Sequence, residues 1–187
     1  MSNKSTIYFH AGAGAVTGSH FRLESGDTNI LIDCGLSQGR HTAEAENWEK
    51  FPYDPKSLQF LIVTHAHVDH SGYLPLLVKQ GFAGRVHCTE GTRALCRVLL
   101  PDAGFLQEEE ARFANLHGYS KHHPALPLYT RGDAMASLDR LVPAGFDQAV
   151  RLDARTTVRF LRAGHILGAA IVRLEHDGTA VVFSGDL

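Results

Sequence analysis

The chemistry of this chain is concentrated in one short stretch, Thr64-His65-Ala66-His67-Val68-Asp69-His70-Ser71-Gly72. Three imidazoles and a carboxylate fall within six residues, directly after the apolar run Phe60-Leu61-Ile62-Val63. A run of that kind suits a strand buried on both faces. While the chain stays extended, His65 and His67 at i and i+2 project to one side. The turn that follows can bring Asp69 and His70 towards a second point nearby. Neutral imidazole and carboxylate are ligands for zinc and similar divalent ions. A structural zinc site would normally add thiolates, and this cluster has none. The alternative is a solvated, His-rich loop, but imidazoles crowded in this way repel one another when protonated unless a metal organises them.

The chain around this stretch has the composition of an ordinary globular domain. Its 187 residues suffice for one substantial domain, with 44% hydrophobic and 20% charged residues. No apolar stretch is long enough to span a bilayer, and no charged-then-apolar leader opens the chain, so a cytoplasmic protein without membrane contact is expected. Cys34, Cys88 and Cys96 are odd in number and lack CxxC spacing. They read as small buried residues in a reducing compartment. Eighteen Lys and Arg against 20 Asp and Glu give a net charge of −2, which is not the footprint of a stand-alone nucleic-acid binder.

The elements that must position the cluster are legible as alternating strands and helices. Ile7–Phe9, Phe21–Leu23 and Ile30–Ile32 read as strands, and the Gly-rich segment Gly12–Ser19 as a loop whose glycines let backbone approach a neighbouring site. No GxGxxG opens a helix there. Trp48 and Phe51 are expected to be packing anchors. After the cluster, Tyr73–Gln80 has helical spacing ended by Gly81, and Val86–Cys88 reads as a strand. Thr92–Leu99 and Glu108–Leu116 read as two helices, the second with Glu108-Glu109-Glu110 in its first turn, where the helix dipole favours acids. Gly118–Pro127 reads as loop. Within it Lys121, His122 and His123 are either phosphate contacts, hence candidate substrate-binding residues, or a solvated segment. Asp133–Leu141 reads as helix, and Thr157–Leu161, Ala170–Leu174 and Ala180–Phe183 as strands. Strand-rich ends with helices between them predict an α/β sandwich.

The HxHxDH pattern of His65, His67, Asp69 and His70 resembles the signature of the metallo-β-lactamase superfamily. Ile30-Leu31-Ile32-Asp33-Cys34-Gly35 resembles that family's strand-end aspartate motif. Gly164-His165-Ile166-Leu167-Gly168-Ala169-Ala170 resembles the motif supplying a lone metal-binding histidine, and Ser184-Gly185-Asp186 the one supplying a bridging aspartate. Asp69-His70-Ser71-Gly72-Tyr73-Leu74-Pro75, Gly12–Ser19, Gln107-Glu108-Glu109 and Ser120–Tyr129 are similar to the β-CASP branch, a group of RNA-processing nucleases. The resemblance implies two divalent ions, zinc foremost, with manganese and iron also admitted by these ligands. It implies that His65, His67 and His165 hold one metal, Asp69 and His70 the other, and that Asp186 bridges them. It assigns Asp69 and Asp33 to the catalytic machinery, Asp33 standing behind the ligands and orienting an imidazole through its ring N–H.

The chain ends one residue after Asp186. The resemblance therefore predicts an incomplete αββα sandwich. Residues 1–187 would be the N-terminal portion of the hydrolase domain, lacking the β-CASP domain and the returning C-terminal strands. The second metal would be under-coordinated, cleavage of RNA weak or absent, and uncovered apolar surface open to self-association. Two other readings share the motifs: a metallo-hydrolase of small molecules (thioesterase, lactonase or phosphodiesterase) and a non-catalytic member of the fold. Inactive members usually lose ligands, and none of the N-terminal ligands is missing here.

Overall fold

Ile30, Leu31, Ile32, Leu61 and Ile62 are all fully buried, so the two strands that contain them, β3 (Thr28–Ile32) and β4 (Phe60–Ile62), are covered on both faces. In the computed structural model, which describes residues 5–14, 16–39, 46–120 and 123–187, these strands sit at the centre of a six-stranded sheet. Its order is β1 (Ser5–Ala11), β2 (His20–Ser25), β3, β4, β5 (Arg85–Thr89) and β6 (Leu141–Ala144). β1 to β3 run antiparallel, and β3 to β6 are parallel. A second, antiparallel sheet meanders through β7 (Ala149–Arg151), β8 (Thr156–Arg162), β9 (Ala170–His176) and β10 (Thr179–Phe183).

The period of two divides the apolar residues between two cores. Ile30, Ile32 and Ile62 point into the space between the sheets, against Val158, Phe160, Val172 and Leu174. Leu31 and Leu61 point the other way, into a core shared with Leu74, Leu77, Cys96 and Leu100. Those four belong to α2 (Leu74–Lys79) and α3 (Glu90–His117), which with α1 (Val68–Ser71) and α4 (Arg131–Ser137) cover one face of the first sheet. The layers are helix, sheet, sheet, three of the four in the expected sandwich. The outer face of the second sheet carries no helix among the described residues. Cys34, Cys88 and Cys96 are free and buried, and burial pushes all three thiols well up, that of Cys96 to about 12.

Four local expectations need correction. The two helices expected over 92–99 and 108–116 are one helix, α3, continuous through Pro101. Pro101 is buried together with Cys96, Leu100, Gly104, Ala111 and Ala114, and this continuous packed face outweighs the lost backbone hydrogen bond. Glu108-Glu109-Glu110 consequently lie inside a helix and not in its first turn, and Glu109 pairs with Arg112 at 2.8 Å. The helix expected over 133–141 is α-helical only to Ser137, continues as a 3-10 turn over Leu138–Arg140 and ends there, because Leu141–Ala144 is β6. As an edge strand it accommodates Pro143. Finally, Phe51 packs on the core, but Trp48 is 61% exposed.

The loop after β3 is tied directly to the turn that bears the histidine cluster. The amides of Cys34 and Leu36 donate to the carbonyls of His70 (2.8 Å) and Val68 (3.0 Å), and Ser19 N–H donates to Asp69 O (2.8 Å). Gly35 lies between these contacts, where a Cβ would stand 1.5 Å from the Asp69 carbonyl oxygen. No side chain fits unless the 68–70 turn moves away. Gly35→Ala is therefore expected to destabilise the chain by more than about 3 kcal/mol in urea unfolding; a loss below about 1 kcal/mol would show that the turn can move freely.

Candidate metal centre

Asp33 is the buried root of the site. Its backbone has φ 55°, an uncommon conformation that aspartate tolerates better than most residues. The carboxylate accepts the Thr64 amide at 2.8 Å, the Thr64 hydroxyl at 2.8 Å and the His70 Nδ1–H at 2.8 Å. Three donors satisfy a carboxylate that is 1% exposed. Thr64 has a single hydroxyl hydrogen, already given to Asp33, so its oxygen must accept at its 3.1 Å contact with His65 Nδ1. His65 therefore carries its proton on Nδ1 and His70 carries its own on Nδ1. In both rings the unprotonated Nε2 faces the opposite way, into the cluster.

What those lone pairs meet defines the site. His65 Nε2 lies 3.0 Å from His67 Nδ1, which lies 3.2 Å from His165 Nε2. Asp186 turns Oδ2 towards this trio, 3.8 Å from His65 and 3.6 Å from His165. Its other oxygen, Oδ1, lies 3.2 Å from His70 Nε2. Lone pairs crowd against lone pairs, an arrangement that only a proton or a cation between them makes favourable. The donor atoms of His65, His67, His165 and Asp186 all lie within 4.8 Å of one another. A zinc ion held at about 2.0–2.1 Å in a tetrahedron would set its donors about 3.3–3.4 Å apart. The four separations given above, 3.0 to 3.8 Å, bracket that value and no pair exceeds 4.8 Å, so this group could hold a divalent ion.

Backbone geometry brings the four together from distant parts of the chain. His65 and His67 leave the end of β4, and His165 stands in the loop joining β8 to β9. Asp186 follows β10 through Gly185, whose φ is 57° and whose missing Cβ would lie 3.0 Å from the Thr64 side chain. The Thr64 carbonyl accepts the Ala170 amide at 3.0 Å, fixing the start of β9 to the end of β4. Thr64 thus links the elements that carry all four donors, a role that its position before the histidine motif did not reveal.

The remaining candidates fall out as follows. His70 stands beside the group of four, its ring centroid 4.1 Å from that of His65 and its Nε2 turned to Asp186. The side chain of Asp69 lies outside the group of four; its charge, with those of Asp33 and Asp186, acts on His70. Lys121 and His122 lie outside the described residues. Gly12, Thr17 and Ser19 of the glycine-rich loop line a cavity of about 390 Å³ together with Asp33, His70 and Asp186, so that loop borders the site.

Electrostatics separate the two buried imidazoles. Burial, then the neighbouring His70, push His65 down to about 3 against the pull of Asp186. For His70 burial also opposes the charge, but the Asp33 hydrogen bond and the nearby carboxylates outweigh it and raise the group. Positive charge is thus disfavoured at His65 and favoured where His70 faces the acids.

Residues 14–187 match the family described as Metallo-beta-lactamase superfamily, and the chain belongs to that superfamily, whose members bind divalent metals. Its curated relatives include Ribonuclease TTHA0252 of Thermus thermophilus, 35% identical over 175 residues, or 94% of this chain and 36% of that protein. Transcription termination factor FttA of Methanosarcina mazei is 33% identical over 94% of this chain and 26% of its own length. This chain therefore spans about a quarter to a third of the relatives it matches. The metallo-beta-lactamase fold protein YhfI from Bacillus subtilis superposes with a TM-score of 0.54 at 18% identity, covering 98% of this chain and 63% of that one, and shares the fold. The motif-based assignment to the superfamily and its β-CASP branch agrees with these relatives.

The shift at His65 sets a pH dependence for the metal-free chain. Its folded value of about 3 lies below 6.5, so between the two the unfolded state binds more protons. Stability from this group is complete above pH 6.5 and is lost as pH falls towards about 3. In excess chelator, the thermal midpoint of His65→Gln should fall less between pH 6.5 and pH 4 than that of the unaltered chain. Equal falls would show that His65 does not titrate in this way.

Proposed function

We propose that this chain carries the metal-binding half-site of a hydrolase that cleaves RNA phosphodiester bonds. The observation that carries the reading is the two-faced carboxylate of Asp186, one oxygen turned to His65, His67 and His165 and the other to His70. The first three histidines would hold one divalent ion, zinc by the chemistry of the donors, with Asp186 shared. Asp69 and His70 would serve the second. Bound there, two such ions lower the pKa of a shared water towards about 7 and neutralise charge on phosphate oxygens.

The protein's own residues do the rest. Asp33 and Thr64 engage Nδ1 of His70 and His65, so that in both rings Nε2 is the nitrogen turned to the site. The glycine-rich loop leaves a cavity beside Asp186 into which a phosphodiester can reach. RNA as substrate is supported by the relative named a ribonuclease and by the β-CASP motifs. The three unpaired thiols support a reducing, cytoplasmic setting. Among the described residues no helix is long and apolar enough to cross a membrane. Exposed Phe9, Val182 and Leu116 support self-association at high concentration.

Elemental analysis of the purified chain should find about one to two zinc ions per molecule. His67→Ala and His165→Ala should each lower that content and cost at least about tenfold in zinc affinity. RNA hydrolysis by the unaltered chain, however slow, should disappear in both variants. Full zinc content in both variants would refute the assignment of this centre.

A further inference from the structure

The loop that carries His165 is held from outside by a pair of threonines that none of the metal-site motifs includes. It begins at Ala163 and closes at Ala169, whose carbonyl accepts the Ala163 amide at 3.2 Å and whose own amide donates to Ile166 O at 2.9 Å. Gly164 and Gly168 have φ 79° and 80°, so the backbone on either side of His165 depends on left-handed glycines. The carbonyl of Gly168 points at the first turn of α3. There it accepts two hydroxyls, Thr89 Oγ1 at 2.6 Å and Thr92 Oγ1 at 3.0 Å. Both threonines are buried, at 1% and 0% exposure. Thr89 Oγ1 also accepts the Thr92 amide at 3.2 Å and so caps the helix. The fit leaves no slack. A Cβ on Gly168 would stand 2.2 Å from Thr92 N, and one on Gly91 would stand 2.8 Å from the Gly168 Cα.

We infer that Thr92, with Thr89, is a positioning residue for His165: the two hydroxyls anchor the far end of its loop to α3 and thereby set where Nε2 stands relative to His67 and Asp186. The inference rests on the metal-site reading above. His165 is the donor that most needs such a device. His65 and His67 follow directly from β4, and a carboxylate or hydroxyl holds the rings of His65 and His70, whereas among the described residues the ring of His165 meets only the other donors. Its position is therefore set by its loop, which its own backbone bonds close and which the Ala170 amide on Thr64 O and the Gly168 carbonyl, with both lone pairs occupied, tie to the rest of the fold. Thr92 is the cleaner member to test, because Thr89 also caps the helix.

The test is a cobalt(II) titration of the 187-residue chain, following visible absorption, with Thr92→Val, Thr92→Ser and His165→Ala singly and the pair Thr92→Val/His165→Ala. Thr92→Val should weaken cobalt binding about tenfold, as loss of a supporting hydrogen bond does at other metal sites. Its metal-free thermal midpoint should stay within about 4 °C of the unaltered chain. Thr92→Ser, which keeps the hydroxyl, should restore binding. In the His165→Ala background Thr92→Val should cost nothing further, since it acts through a ligand already removed. An unchanged affinity in Thr92→Val, or an equal loss in both backgrounds, overturns the inference. Should Thr92→Val not fold, Gly91→Ala, which crowds Gly168 without deleting a hydroxyl, decides in the same cycle. Failure of the unaltered chain to bind cobalt overturns the metal-site reading itself, and the inference with it.

Discussion

A buried carboxylate with three donors is the constraint on which the site depends. Asp33 at 1% exposure would be a costly charge without the Thr64 amide, the Thr64 hydroxyl and the His70 ring. Each donor belongs to a segment that must also do something else. Thr64 ends β4 and receives the first amide of β9, and His70 faces Asp186. Satisfying one acid therefore fixes two strand ends and two imidazole tautomers at once. The left-handed backbone of Asp33 is the local cost of aiming a carboxylate at all three.

The two cores explain why the constraint is rigid. Strands β3 and β4 are packed on both faces, so neither can rotate to relieve a poorly placed Asp33 or Thr64 without opening a core. The donors emerge just beyond the ends of these and neighbouring strands, where the backbone is free to turn but the strand behind it is not. This division between a packed sheet and short loops at its rim is a common way for a fold to hold a precise site.

Much of this was legible in the sequence because the signals are local. The run Phe60–Val63 reads as a strand buried on both faces, and the strands expected over 157–161 and 170–174 are the inner parts of Thr156–Arg162 and Ala170–His176. The identities of His65, His67, His165 and Asp186 were visible from motif order, and the structure brings their donor atoms together. What stayed hidden was tertiary. Pro101 signals a break, yet a buried face spanning both sides carries α3 through it. Leu141–Ala144 has no strand signal of its own and is made a strand by pairing with β5. Thr64, Thr89 and Thr92 are unremarkable by type, and their roles exist only through distant partners, Ala170 for Thr64 and Gly168, 79 residues on, for Thr89.

The four converging donors come from both ends of a span running from His65 to Asp186, with 98 residues separating the contacting pair His67 and His165. During synthesis the histidines of the first motif emerge long before the last donor. A nascent chain that has exposed His65, His67 and His70 but not Asp186 offers loose imidazoles to any passing ion, without the geometry that discriminates among metals. The group of four is complete only with β10 paired to β9, because Asp186 follows directly from that strand.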